Sequence, residues 1–442
     1  MQSFVGFETA LYRDDEPFDS PTPTLGQKRY STALIGFGPA NLGLLMTAYR
    51  RGALPNMCQN GLVIFEKSSR IGCGSLRDYK ITANSLSSVF LECVADPRVA
   101  DLVGDLAGER ALSILQASPD ISPRLSVVAD LLERVAGNVV AHLSERYDIT
   151  ILREATVTAL QEDERDFRIT VNHESLSSIL HAEAVFMNCG GRQILNSPLL
   201  GSIAPHIVTS DTLLRADDRA IRSLFDGAPH HKVAIVGGSH SAISSIMRLS
   251  EIDNNSEIVV YCRSPFRLYF ESIAAARKAD YHFAEDADVC PASGRVNRFS
   301  GLRYDAHKAA MSIMQAGSVR PDAPRVQFVI TEDPITAAAQ QQHDLCIVAS
   351  GYASENPFND PLGNESDGRV RKASGEPVRC LYSFGLGAGL IPSNKIGGEA
   401  SFKGRLDGVW LYMNDVGDVV VDAFIEDHSA SQYQRMEGQD RV

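Results

Sequence analysis

One pattern occurs twice in this chain and constrains its fold more than any other feature. Thr32-Ala33-Leu34-Ile35-Gly36-Phe37-Gly38-Pro39-Ala40-Asn41-Leu42 reads as a short buried strand, a glycine turn and the start of a helix. His231-Lys232-Val233-Ala234-Ile235-Val236-Gly237-Gly238-Ser239-His240-Ser241-Ala242 repeats it roughly 200 residues later. Gly36 allows the tight turn and Gly38 leaves room for a phosphate. From Pro39 the chain can wind into a helix whose first N–H groups point at that anion. A lone turn of this kind is weak evidence. Two, each opening a βαβ unit, imply two dinucleotide sites in one α/β chain.

The second strand of each unit separates the two sites. The strand after the first helix, Leu62-Val63-Ile64-Phe65, ends at Glu66 and Lys67. An acid there is the expected partner of an adenosine ribose hydroxyl, the alternative being a solvated strand-end carboxylate. Its distance from Gly36 exceeds the usual ~20 residues, and the excess lies in a loop insertion over 52–61. The corresponding strand of the second unit, Glu257-Ile258-Val259-Val260-Tyr261-Cys262, ends instead in Arg263, with Arg267 close behind. A planar cation at that position suits a 2′-phosphate. FAD at the first turn and NADPH at the second is the economical assignment.

Further strands run into glycines at Gly190, at Gly351 and near Gly387. They fit an α/β fold of two Rossmann-like dinucleotide-binding domains, the NADPH domain inserted into the FAD domain. The expected limits are a flexible acidic tail over 1–29, the first part of the FAD domain over 30–225, the NADPH domain over 226–345, and the rest of the FAD domain, with substrate-site elements, over 346–442. Residues 86–146 read as mainly helical, with apolar residues at helical spacing over 125–135. The small-residue stretches 70–76 and 82–85 either run along a flat ligand or form a plain surface loop.

Composition removes competitors. At 442 residues, two domains are the natural expectation. A net charge of -13 argues against a nucleic-acid surface and for a small-molecule partner. No apolar run suffices to span a bilayer, and the N-terminus lacks the basic start and apolar core of a signal peptide. The eight cysteines include no C-x-x-C pair. That suits reduced thiols in the cytoplasm and argues against a zinc site, a disulfide framework or a flavoprotein disulfide reductase. An oligomer of identical chains is compatible with all of this.

Taken together, these residues resemble the flavin-dependent N-hydroxylating monooxygenases, ornithine and lysine hydroxylases among them, within the wider class B flavoprotein monooxygenases. Gly36-Phe37-Gly38-Pro39-Ala40-Asn41 matches the family's G-x-G-P-x-N, Gly237-Gly238-Ser239-His240-Ser241-Ala242 its G-G-x-Q-S-A, and Ala349-Ser350-Gly351-Tyr352 its A-T-G-Y. Asn41 thereby joins the expected cofactor-binding residues. The chain departs from the family at His240, where glutamine is usual, and at Ser350, where threonine is usual. It also lacks the tryptophan-containing segment of the siderophore hydroxylases, and Gly201-Ser202-Ile203-Ala204-Pro205-His206 is a degenerate Baeyer–Villiger fingerprint.

The resemblance implies that NADPH reduces FAD, that a C4a-hydroperoxyflavin forms with O₂, and that its terminal oxygen passes to a small amine or amino acid in secondary metabolism. Oxygenation of sulfur, Baeyer–Villiger chemistry and a non-catalytic NADPH-sensing flavoprotein are the alternatives. Catalysis is flavin-centred in this reading, with no metal and no protein nucleophile, and Asn84 and His240 are supporting residues. His240 either contacts the cofactor or caps its helix.

Overall fold

The computed structural model describes residues 28–439 apart from 164–165, 194, 196, 226–229, 356, 358–361, 365 and 394. The tail expected over 1–29 therefore lies outside the described residues up to 27. Arg29 already opens the first strand.

The first unit is built from β1 (Arg29–Ile35), α1 (Pro39–Arg50), β2 (Leu62–Phe65), α2 (Leu125–Ser144), β3 (Ile149–Leu152), β4 (Thr156–Glu162), β5 (Phe167–His173) and β6 (Leu176–Met187). β1 lies in the middle of a parallel sheet, between β2 and β6. A strand flanked this way is covered on both faces, so apolar residues run continuously along it. Leu34, Leu62, Ile64 and Phe186 face the helices α1 and α2. Ala33, Ile35, Val63 and Val185 face the other way, onto Leu160, Ile169 and Val171 of the antiparallel pair β4 and β5. The expected insertion over 52–61 contains one short helix, Leu54–Met57.

The second unit comprises β7 (His206–Thr209), β8 (His231–Val236), α3 (His240–Ile252), β9 (Ser256–Cys262), α4 (Tyr304–Ala316), β10 (Arg325–Ile330) and β11 (Leu345–Val348). Its strands are all parallel, in the order β10-β9-β8-β11-β7. This sheet reaches beyond the limits expected for the inserted domain. β7 precedes residue 226, and β11 continues past 345. β7 is short and half-buried, and no glycine turn announces it, so nothing in its sequence marks it as part of the second sheet. The chain then returns to the first sheet through β12 (Leu362–Asn364), β13 (Arg369–Lys372) and β14 (Pro377–Tyr382), the last parallel to β6. The outgoing and returning segments touch, Gly191–Arg192 pairing antiparallel with Ala353–Ser354. The final helix α5 (Asp415–Gln439) packs on α1 and β14.

The two units are also clamped by polar contacts. Buried Glu399 accepts from the backbone N–H of Phe299 at 2.9 Å and of Ser300 at 2.8 Å. Arg298 donates to the Ile396 carbonyl at 2.8 Å and pairs with Asp415 at 3.3 Å. All eight cysteines are free. No helix of the described residues is long and apolar enough to cross a membrane.

Gly36 sits at φ +78°, where a Cβ would press into the backbone of Asn188, 3.0 Å from its carbonyl carbon. Gly36→Ala is therefore expected to cost about 2–4 kcal/mol by strain and clash together, read as a lowered midpoint in urea or heat. An unchanged midpoint would contradict this account of the turn.

Candidate active site

In both sheets the glycine turns lie at the carboxyl ends of the central strands, next to the point where strand order reverses, β1 against β6 and β8 against β11. Ligands of open α/β sheets bind in that crevice. At the first turn, a side chain on Gly38 would stand 3.5 Å from the Cα of Gly74, in ordinary contact. The protein itself therefore does not demand glycine there. The two glycines face each other across a cradle that any Cβ would begin to fill, directly at the N-terminus of α1, which carries Pro39 in its first turn. The loop over 70–76 thus comes against the turn, with Gly72 N–H donating to Phe37 O at 2.6 Å. Further along, Thr82 donates to Asp305 of α4 at 3.1 Å, so the loop over 82–85 meets the second unit. Asn84 is exposed beside it.

Two buried polar residues hold this turn. Glu66 accepts from Phe37 N–H at 2.7 Å and from Ser68 N–H at 2.9 Å, leaving acceptor capacity on each oxygen for a hydroxyl. Asn41 is fully buried and donates to Gly36 O at 2.6 Å, while its own side-chain oxygen accepts from Asn188 at 2.7 Å. Its amide is committed to backbone and to Asn188, so it shapes the cradle and does not reach into it, contrary to the direct contact expected from sequence. Lys67 is exposed and pairs with Glu355 at 3.1 Å.

At the second turn, a Cβ on Gly237 would lie 2.8 Å from the Ala349 carbonyl carbon, and one on Gly238 2.9 Å from Cys262 Cβ. Ser239 is the N-cap of α3 but makes no side-chain capping bond, and Ser241 accepts through its carbonyl from Ser245. His240 does not cap the helix either. Its Nε2 is buried without a hydrogen-bond partner, and burial, with Arg303 nearby, lowers its pKa to about 4. An orphaned ring nitrogen beside a helix N-terminus fits a nucleotide. Arg263 is exposed at the end of β9, with no ion pair among the described residues, as a 2′-phosphate site requires. Arg267, by contrast, is taken up by the contact between units, donating to Ser401 at 2.6 Å.

Gly351 and Gly387 lie where the chain crosses between units, Gly387 packed against the backbone of Ala353. Beside them, Tyr352 donates to Asp211 at 3.1 Å and lies 3.2 Å from the Tyr79 hydroxyl, while Arg215 pairs with Asp211 at 3.0 Å. Burial pushes the Tyr352 phenol up. Asp407, before the helix Val409–Met413, is exposed. Among the described residues one trio could hold a metal, Asp163, Asp166 and His181, but Arg29 already pairs with Asp166 at 2.7 Å.

No protein-family model matches this chain. It is 30% identical over 434 residues to the CMP-5′-(3-aminopropyl)phosphonate hydroxylase of Streptomyces rubellomurinus (strain ATCC 31215), a match covering 90% of this chain and 97% of that one. Among solved structures, the ornithine N-hydroxylase of Kutzneria sp. 744, with reduced FAD, NADP⁺ and L-ornithine, aligns with a TM-score of 0.53 at 14% identity, over 90% of this chain and 99% of that one. The reduced ornithine hydroxylase of Pseudomonas aeruginosa gives 0.55 at 14%, with the same coverage. Both share the fold. The chain belongs to the flavin-dependent N-hydroxylating monooxygenases. Within them, it is similar over nearly its whole length to the aminopropylphosphonate hydroxylase, and it is accordingly an enzyme, which sets aside a non-catalytic flavoprotein.

The orphaned His240 gives a pH signature. In the unfolded chain it titrates near 6.5 and in the folded protein near 4, so between these values the unfolded state binds more protons. Stability is therefore full above 6.5 and falls as pH drops through 4, by at most about 3 kcal/mol. His240→Gln is expected to flatten that part of the pH–stability curve of the nucleotide-free protein. A variant curve parallel to wild type would contradict the orphaned, neutral ring.

Proposed function

We propose that this enzyme N-hydroxylates a small primary amine or amino acid with FAD at the first turn, NADPH at the second and O₂ as co-substrate. Amine, O₂, NADPH and a proton give the hydroxylamine, water and NADP⁺. The observation that carries this reading is the Gly38–Gly74 cradle at the start of α1, paired in one chain with a second turn that ends in the exposed Arg263. Bound FAD supplies the oxygen activation. The chain supplies position. Gly38 and the α1 N-terminus would take the pyrophosphate and Glu66 a ribose hydroxyl. Gly237, Gly238 and the α3 N-terminus would take the second pyrophosphate, and Arg263 the 2′-phosphate. His240, neutral at physiological pH, can accept or donate one hydrogen bond to the nucleotide without adding charge. The named substrates of the relatives, an aminopropylphosphonate conjugate and ornithine, both carry a primary amine, which supports nitrogen as the oxygen acceptor.

The purified protein should be yellow and should oxidise NADPH faster when offered one member of a panel of primary amines. Gly38→Val should lose the colour while remaining folded, and a variant that stays yellow would refute the cradle. Arg263→Ala should raise the KM for NADPH about tenfold or more and leave that for NADH nearly unchanged. Equal effects on both would remove the 2′-phosphate role.

A further inference from the structure

Four arginines lie close together in the second unit, and one is treated differently from the rest. Arg267 stands 3.7 Å from Asp288, Arg295 3.2 Å from Glu271, and Arg298 3.3 Å from Asp415. Arg303, half-buried, has no carboxylate within ion-pair distance among the described residues, in a chain whose net charge is -13. Its guanidinium stacks 4.2 Å over the Tyr269 ring and donates to the Arg298 carbonyl, so its position is fixed. The surrounding protein lowers its pKa, chiefly by desolvation. Glu271, whose charge also reaches Arg303, already pairs with Arg295. Holding a guanidinium this way without an ion pair of its own is unfavourable unless a ligand provides one.

Its position says which ligand. The segment carrying Arg303 is pinned to the chain leaving β9, with Leu302 N–H donating to Arg267 O at 2.8 Å and Tyr269 N–H to Leu302 O at 3.0 Å. Two residues further on, Asp305 is bridged to Thr82 of the first unit. Arg303 thus stands where the two units face each other, near His240. Under the proposed function, the phosphates of NADPH would take the α3 N-terminus and Arg263. Resting on the N-hydroxylation reading, we propose that Arg303 binds a tetrahedral oxyanion, phosphonate or phosphate, on the tail of the amine substrate, and selects substrates that carry one. The planar fork of a guanidinium suits two such oxygens at once.

The test compares wild type, Arg303→Gln and Arg303→Lys holoenzymes on 3-aminopropylphosphonate, its CMP ester, 3-aminopropyl phosphate, L-ornithine and n-butylamine. Steady-state KM is read for each, together with calorimetric binding of 3-aminopropylphosphonate. Arg303→Gln should weaken binding and raise KM about 10- to 100-fold for the phosphorus-bearing amines. KM for n-butylamine and NADPH should stay within about twofold of wild type, and Arg303→Lys should recover part of the loss. The tightest phosphorus compound identifies the source of the oxyanion. An equal rise for NADPH would make Arg303 a cofactor contact, and an equal rise for every amine, or binding unchanged by the substitution, would overturn the proposal. If no amine is hydroxylated by wild type, the N-hydroxylation reading fails, while the calorimetric comparison still decides whether Arg303 binds the oxyanion.

Discussion

The arrangement of the first site depends on one buried pair of amides. Asn188, at the end of β6, donates to Asn41 of α1, and its own oxygen accepts from the backbone N–H groups of Phe384 and Gly385, both at 2.9 Å. Asn41 in turn holds the carbonyl of Gly36. Three stretches far apart in sequence, the turn after β1, the end of β6 and the turn after β14, are thereby locked at the edge where the cradle opens. Both residues are buried, so each unmade bond would cost about 1–3 kcal/mol. The pair therefore holds the geometry closely, and the glycines can then leave space that the protein does not fill.

A similar economy links the two units. The crossing strands run side by side, and the Asp211 carboxylate collects Tyr79, Tyr352 and Arg215 from both units and the returning chain. On the other side, Glu399 caps two backbone N–H groups at Phe299 and Ser300. Two nucleotide turns can cooperate only if the crevices face each other at fixed distance, and these polar clusters help to fix it. Among the described residues, the buried members of the two largest apolar clusters stay within their own units, and Phe299 packs across onto the first.

Much of this was legible in the sequence, and the reasons are specific. Both turns, the strand Leu62–Phe65 and the contrast of Glu66 with Arg263 follow from local chemistry, since a glycine turn needs only its own neighbours. β7 was not legible because it is short, half-buried and joined to its sheet only by pairing with a strand over 130 residues later. Asn188 reads as an ordinary residue before glycines until its partners at Asn41 and Gly385 are known. Arg303 carries no motif at all, and what sets it apart, a guanidinium with no ion pair among the described residues, arises only when the chain is folded. Asn41 is the instructive case: the pattern marks it as a cofactor-binding residue, and the hydrogen bonds show its side chain holding the Gly36 carbonyl and Asn188 beside the turn.

The proposed reaction delivers one oxygen atom of O₂ to an amine nitrogen. Turnover under isotopically labelled O₂ with NADPH and an accepted amine, followed by mass spectrometry of the product, tests that transfer. The expected product is a hydroxylamine carrying one labelled oxygen on nitrogen, with one NADPH consumed for each product formed. NADPH consumption that yields hydrogen peroxide alone, or a label found on carbon or sulfur, would contradict it.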